Sequence, residues 1–152
     1  MSIENKVKLR KVTINDINFL FNTRIEYCNY VSNETAPNFK HHKKFVTKFI
    51  NDRENHNYIE WYIIQIFDKN HWVDVGVMPL KKNYEFGYQT LKKYRNQGIT
   101  QKAIQIFIQM YGKEKLWARS RPDNKISHHI LVKAGLELTD YEFHFKKNKN
   151  RY

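Results

Sequence analysis

The chain has 152 residues, 41% of them hydrophobic and 15% aromatic, which suffices for one domain with a buried core and is too apolar for a disordered segment. Its single cysteine, Cys28, excludes an intrachain disulfide framework and a cysteine-only zinc site, and an ordinary packed thiol accounts for it. The net charge of +12 suits nucleic acid, an acidic membrane face or phosphate-bearing ligands, yet the lysines are scattered through a composition rich in Lys, Asn and Ile. The only dense basic run, 146–151, reads as a solvated terminus. No apolar run approaches the ~20 residues of a membrane span, and residues 1–9 lack a signal-peptide core. The expectation is a soluble, cytoplasmic, single domain over 1–152, with 146–152 a flexible basic tail.

In chain order, Val7 to Thr13 alternates apolar and polar residues as a half-buried strand does. Thr13 and Asp16 form a capping-box-like start for a helix over Ile14 to Cys28. After a polar loop, Asn38 can cap a second helix whose stripe is His42, Phe45, Val46, Phe49 and Ile50. Three strands follow, Tyr58–Phe67, Trp72–Leu80 and Glu85–Leu91, joined by short turns that imply an antiparallel meander. A helix opening at Gly98 carries an apolar stripe of Ile99, Ala103, Ile106, Phe107 and Met110, and Gly112 ends it. A short strand over Lys115–Ser120, a capped helix from Asn124 through Lys133 and a strand pair over Leu136–Lys147 complete the order βααβββαβαββ. This is an α/β (α+β) fold with a mixed, mostly antiparallel central sheet flanked by helices.

The chemistry concentrates at 85–103, where a strand leads through the basic loop Lys92-Lys93-Tyr94-Arg95 and the turn Asn96-Gln97-Gly98 into a helix. The first helical N–H groups have no partner of their own, and the helix dipole favours an anion in front of them. Glycine at 98 lets a backbone approach an anion that a Cβ would keep away.

Arg95-Asn96-Gln97-Gly98-Ile99-Thr100 resembles the acetyl-CoA pyrophosphate loop of the GCN5-related N-acetyltransferase (GNAT) family, Arg/Gln-x-x-Gly-x-Gly/Ala, with Thr100 departing at the last position. Asn124-Lys125-Ile126-Ser127 and Lys133-Ala134-Gly135-Leu136 are similar to the family's Asn-x-x-Ser segment and Lys-x-Gly-Phe stop. The resemblance implies that Gln89, Thr90 and Leu91 hold the pantetheine arm and that the N–H groups of Gln97, Gly98, Ile99 and Thr100 hold the pyrophosphate. It further implies that Arg95 adds charge at the entrance, and that Asn124 and Ser127 complete the cofactor site. In such a reaction an amine attacks a thioester, an N–H near Thr90 or Leu91 steadies the oxyanion, and a base and an acid assist.

The position of the tyrosine acid common in the family is Leu131 here, so Tyr141 is an alternative acid; Glu85 is a candidate base. Arg24, Ser32 and His42-Lys43-Lys44-Phe45 are similar to a branch that acetylates ribosomal-protein N-termini and amino sugars on nucleotides. Arg24, Glu26, Glu34, His42 and Tyr88 are therefore candidate acceptor residues, with Trp61, Trp72 and Tyr88 available to stack on a sugar or base. The adjacent pairs His41–His42 and His128–His129 diverge by about 100° on a helix and make no ready chelate, so no metal is expected. The expected donor is acetyl-CoA and the expected acceptor a small amine, foremost a nucleotide-linked amino sugar. The alternatives are a protein or peptide amine, a non-catalytic acyl-CoA-binding module and, least favoured, a nucleic-acid binder. A monomer and a homodimer are both compatible with the sequence.

Overall fold

The β-branched runs after residue 57 build the sheet. In the computed structural model, which describes residues 6–30, 38–139 and 142–145, β1 (Val7–Lys11), β2 (Tyr58–Asp68) and β3 (His71–Lys81) pair antiparallel in the order β1-β2-β3. Lys69 and Asn70, at φ 48° and 67°, close the β2–β3 hairpin, because two-residue hairpins favour positive φ at both central positions. Successive strand residues face opposite sides. Ile63 and Val77 pack under α1 (Ile17–Tyr30) and α2 (Phe39–Asn51) with Leu20, Val46 and Phe49, whereas Ile64 and Met78 pack under α3 (Ile99–Tyr111) with Ile104 and Phe107.

The caps form as the sequence predicts. Thr13 and Asp16 make a reciprocal capping box on a 3-10 turn, Ile14–Asp16, that leads into α1. The Asn38 side chain accepts from the N–H groups of Lys40 and His41 at the start of α2. Asp16 also accepts from Arg10 at 2.7 and 2.8 Å, and Arg10 reaches Asp74 of β3 at 3.0 Å, so one guanidinium ties this corner to the sheet.

The predicted stripe of α3 is rotated. Ile99, Ala103, Ile104 and Phe107 are buried, while Ile106 is half-buried and Met110 is 49% exposed. The helix presents its 103–104–107 face to the sheet and leaves Met110 at the rim of its last turn.

β4 is shorter than expected, Gln89–Thr90, although the backbone follows β3 from Glu85 to Leu91. Lys81 N–H donates to the Glu85 carbonyl (2.9 Å), Gly87 N–H to the Pro79 carbonyl (3.0 Å) and Leu91 N–H to the Val75 carbonyl (2.9 Å). Proline has no N–H to return the bond opposite Gly87, so the ladder breaks there.

β5 (Trp117–Arg119), β6 (Leu136–Thr139) and β7 (Glu142–Phe145) form a second sheet in the order β5-β7-β6, with α4 (Lys125–Lys133) between β5 and β6 in the chain. Among the described residues the two sheets meet in one parallel bridge, Glu85 to Trp117, where Phe86 N–H donates to the Trp117 carbonyl at 2.9 Å. Beyond it β4 and β5 diverge. The element order βααβββαβαββ is the predicted one. No described helix is long and apolar enough to cross a membrane.

Gly76 lets β4 approach β3, since a Cβ there would lie 2.5 Å from the Gln89 carbonyl oxygen and 3.2 Å from Thr90 Cα. Gly76→Ala is expected to destabilise by about 1–3 kcal/mol in urea unfolding, as overpacking does. Gly87→Ala, whose Cβ would sit 3.4 Å from the Pro79 ring, is expected to cost less than Gly76→Ala.

Candidate active site

A cavity of about 600 Å³ fills the mouth between β4 and β5. Thr23, Arg24 and Tyr27 of α1 line one side, residues 86–90 the floor, and residues 119–121 with Asn124, Ser127 and Ile130 the other side. Arg95, Asn96 and Thr100 line the end nearest α3.

The floor has an unpaired edge. The N–H groups of Gly87 and Leu91 are bonded to β3, and Gln89 pairs with Val77. By strand alternation, Tyr88 and Thr90 turn their N–H groups the other way, toward the cavity. The expected oxyanion donor therefore narrows from Thr90 or Leu91 to Thr90, because the Leu91 N–H is already committed to Val75. The Thr90 carbonyl accepts from Arg95 Nε at 3.0 Å. Gln89 lines the cavity with a buried Nε2 that has no bonding partner.

At the far end, α3 starts on Gly98 at φ 78° with no side-chain cap, and Asn96 before it sits at φ 62°. The first intrahelical bond runs from Lys102 N–H to the Gly98 carbonyl, which leaves the N–H groups of Ile99, Thr100 and Gln101 without helical acceptors. An added Cβ at Gly98 would meet nothing within 4 Å. Glycine is thus required by its left-handed backbone rather than by crowding within the chain. Ile99 buries its side chain, and the exposed Gln97 reaches the Lys93 carbonyl at 3.4 Å. Thr100, the departure from the family pattern, directs its hydroxyl to Thr90 Oγ1 at 2.8 Å.

On the α4 side, the Asn124 side chain accepts from Ser127 N–H at 3.0 Å and so caps the helix. Ser127 Oγ lies 2.5 Å from the Tyr88 hydroxyl, which links the two walls. Burial pushes the Tyr88 hydroxyl up to about 12 despite that bond, so it keeps its proton at neutral pH.

The other expected residues are distributed unevenly. Arg24 and Tyr88 line the cavity, whereas Glu26, His42, Trp61 and Trp72 do not. Glu26 accepts from Lys92 N–H at 2.5 Å and from Arg95 at 3.4 Å, fastening α1 to the basic loop. His42 packs its ring 5.5 Å from Phe21, and burial and the charge of Arg24 lower its pKa. Trp61 stacks on Tyr58, and Trp72 lies beside Phe67 under Lys8, so neither is available to stack on a sugar in the cavity. Leu131, in the usual tyrosine position, is fully buried in the core. Glu34, Ser32 and Tyr141 lie outside the described residues.

Glu85 is the clearest correction. It is absent from the cavity lining and buried, with Lys81 Nζ at 2.7 Å and Arg119 Nε at 2.5 Å. Burial raises its pKa, but the bonds from Arg119 and Lys81 outweigh this and hold it below the ordinary value of 4.5. A clamped, weakly basic carboxylate outside the cavity is a poor proton acceptor. Sequence reasoning missed Thr23, Tyr27, Arg119, Ser120 and Arg121 on the wall. The run Arg119-Ser120-Arg121-Pro122 just before the Asn124 cap was the available signal.

The family model described as acetyltransferase (GNAT) domain matches residues 6–137. Similar solved structures include a domain from Methanocaldococcus jannaschii, 18% identical with TM-score 0.74, covering 91% of this chain and 95% of that one. FdhC, a nucleotide-linked sugar GNAT, is 16% identical with TM-score 0.71, covering 96% and 88%. RimL, a ribosomal L7/L12 alpha-N-protein acetyltransferase, is 15% identical with TM-score 0.68, covering 93% and 91%. No curated protein matches the chain in sequence. The chain belongs to the GNAT family of acetyltransferases, with acetyl-CoA as the acetyl donor. The unpaired β4 edge, the uncapped α3 start and the orphaned Gln89 amide fit that donor's extended amide arm and pyrophosphate.

The linkage of Glu85 is testable. A carboxyl whose folded pKa lies below its unfolded one contributes stability that is full above the unfolded value and is lost as pH falls through the folded one. Glu85→Gln is expected to unfold about 1–3 kcal/mol more easily at pH 7, as loss of charged hydrogen bonds does. The gap should close as pH drops below 4.5, which urea melts at several pH values would show.

Proposed function

We propose that the protein transfers an acetyl group from acetyl-CoA to the amine of an anionic small molecule, foremost an amino sugar attached to a nucleotide. The observation that carries this is the charge of the cavity wall. Four arginines, Arg24, Arg95, Arg119 and Arg121, reach it; Glu26, Glu85 and Asp123 pair with the last three from outside the lining, and among the described residues no carboxylate lines the cavity itself. Guanidinium groups suit a diphosphate, which they can grip with paired charge-assisted bonds. They disfavour a polycationic amine. The FdhC likeness points the same way.

Such a wall also favours an amine that arrives uncharged. An amine of pKa about 8 is roughly one-tenth neutral at pH 7, whereas an alkyl ammonium near 10.4 is neutral in only about one molecule in 2,500. Bound acetyl-CoA supplies the acetyl group as a thioester. Thr90 N–H is the donor that faces the cavity for negative charge developing on the acyl oxygen. Ser127 Oγ donates a proton to the departing thiolate, and the Tyr88 hydroxyl, protonated at neutral pH, holds Ser127 in place and replaces that proton. The amine loses its proton to water, and water returns one to the Tyr88 phenolate, so the relay is reset with no net change in protons.

Three outcomes test the proposal. Saturation with acetyl-CoA at a hundred times its Kd is expected to stabilise the protein by about 2.7 kcal/mol, and Gly98→Glu to abolish the gain, by thermal melting. Ser127→Ala is expected to lower kcat by about a hundredfold while leaving the KM for acetyl-CoA within twofold. Thiol release should be at least about tenfold faster, as kcat/KM, for an aminodeoxy nucleotide sugar than for the same sugar without its nucleotide, the value of one charged bond. Preference for spermidine or turnover of peptides alone would overturn the acceptor assignment.

A further inference from the structure

A second groove, of about 750 Å³, lies at the other end of the 85–91 stretch from the α3 start. It is framed by the last turns of α2, the loop that follows and the turn after β3. Lys48 comes to it from α2, Lys81 and Lys82 come from the end of β3 and the turn after it, Asn83, Tyr58 and His56 complete the lining, and no carboxylate lines it among the described residues. His56 packs against Phe45, Phe49 and Tyr58 at 4.9, 5.1 and 5.3 Å, which gives the groove an aromatic floor. Burial and the charges of Lys48 and Lys82 lower the His56 pKa against the opposing pull of Asp52. Three lysines with no carboxylate in the lining make the groove cationic.

Lys81 links this groove to the catalytic cavity. Its ammonium donates to Glu85 Oε1 at 2.7 Å, while Arg119, a residue of the cavity wall, donates to the same carboxylate twice, from Nε to Oε2 at 2.5 Å and from Nη2 to Oε1 at 3.1 Å. One buried carboxylate thus divides its charge between a lysine of the groove and an arginine of the cavity.

We infer that the groove is a second anion site, which takes a small phosphate-bearing molecule on Lys48, Lys81 and Lys82 and is coupled to the catalytic cavity through Glu85. An anion that engages Lys81 competes with Glu85 for it. Glu85 Oε1, now shared by Lys81 and Arg119, is then left to Arg119 alone, and the tighter ion pair holds that guanidinium away from an anionic acceptor. Occupancy of the groove lowers acceptor affinity, and by linkage the acceptor lowers affinity for the anion. The coupling rests on the anionic-acceptor reading of the cavity, whereas the binding site does not.

The experiment titrates inorganic pyrophosphate into protein already saturated with coenzyme A, so that the α3 start is occupied, and follows the His56 ring signals by NMR. The control is the double variant Lys48→Gln/Lys82→Gln, two exposed positions outside the catalytic cavity. Wild type is expected to give a saturable His56 shift, and the variant to bind at least tenfold more weakly with an unchanged melting temperature and unchanged coenzyme A binding. ADP run in parallel identifies the source of the phosphate: tighter binding than pyrophosphate assigns the groove to a nucleotide, and equal binding to the inorganic anion. No saturable shift, or equal binding by the variant, overturns the site. For the coupling, pyrophosphate should raise the KM of the anionic acceptor several-fold in wild type and not in the variant. A shift at His56 with no change in KM overturns the coupling alone, and no turnover of any anionic acceptor would instead contradict the proposed function.

Discussion

The separation of β4 from β5 is the constraint on which the rest depends. The two strands are joined at one end, where Phe86 donates to Trp117 across the parallel bridge, and Glu85 reinforces that junction by holding Arg119 of β5 and Lys81 of β3 on one buried carboxylate. Past the junction the strands part, and the edge of β4 presents backbone groups that a continuous sheet would have consumed. An unpaired edge is ordinarily a liability. In this fold it becomes the floor of a cavity, covered by α1 on one side and α4 on the other.

Three further features keep the mouth open and correctly lined. Gly76 brings β4 close enough to β3 for Gln89 and Thr90 to be held in register. The left-handed Gly98 turns the chain so that α3 begins at the end of the cleft with its first N–H groups unspent. The Tyr88–Ser127 and Thr90–Thr100 hydroxyl pairs then cross-link strand, α4 and α3 around the cavity. Each lies within 15 residues of Glu85 in sequence or touches a residue that does, so the candidate donor site is compact in the chain as well as in space.

That compactness is why the local geometry of this end of the cleft was legible from sequence. The strand, the glycine turn, the helix start and the Asn124 cap each have local chemistry that a sequence displays. The caps at Thr13 and Asn38 were readable for the same reason. The arginine wall was not readable. Arg119 and Arg121 sit in a short strand and its exit loop, and only the divergence of the two sheets turns them toward Arg24 of α1. Glu85 was misjudged on similar grounds, since an acidic residue on a central strand suggests a base until Lys81 and Arg119 are seen to clamp it. The shortened β4 has a visible cause, Pro79, whose effect required knowing the register. The rotation of α3 toward Ile104 was invisible to a stripe drawn on spacing alone, because the packing partners Met78 and Leu116 come from distant segments.

The most direct test of the open β4 edge is amide hydrogen exchange, resolved residue by residue, with and without acetyl-CoA. Acetyl-CoA is expected to protect the N–H groups of Thr90, Ile99 and Thr100, while those of Gly87 and Leu91, already bonded to β3, change little. Protection confined to other segments, or equal protection of alternate residues along 87–91, would contradict it.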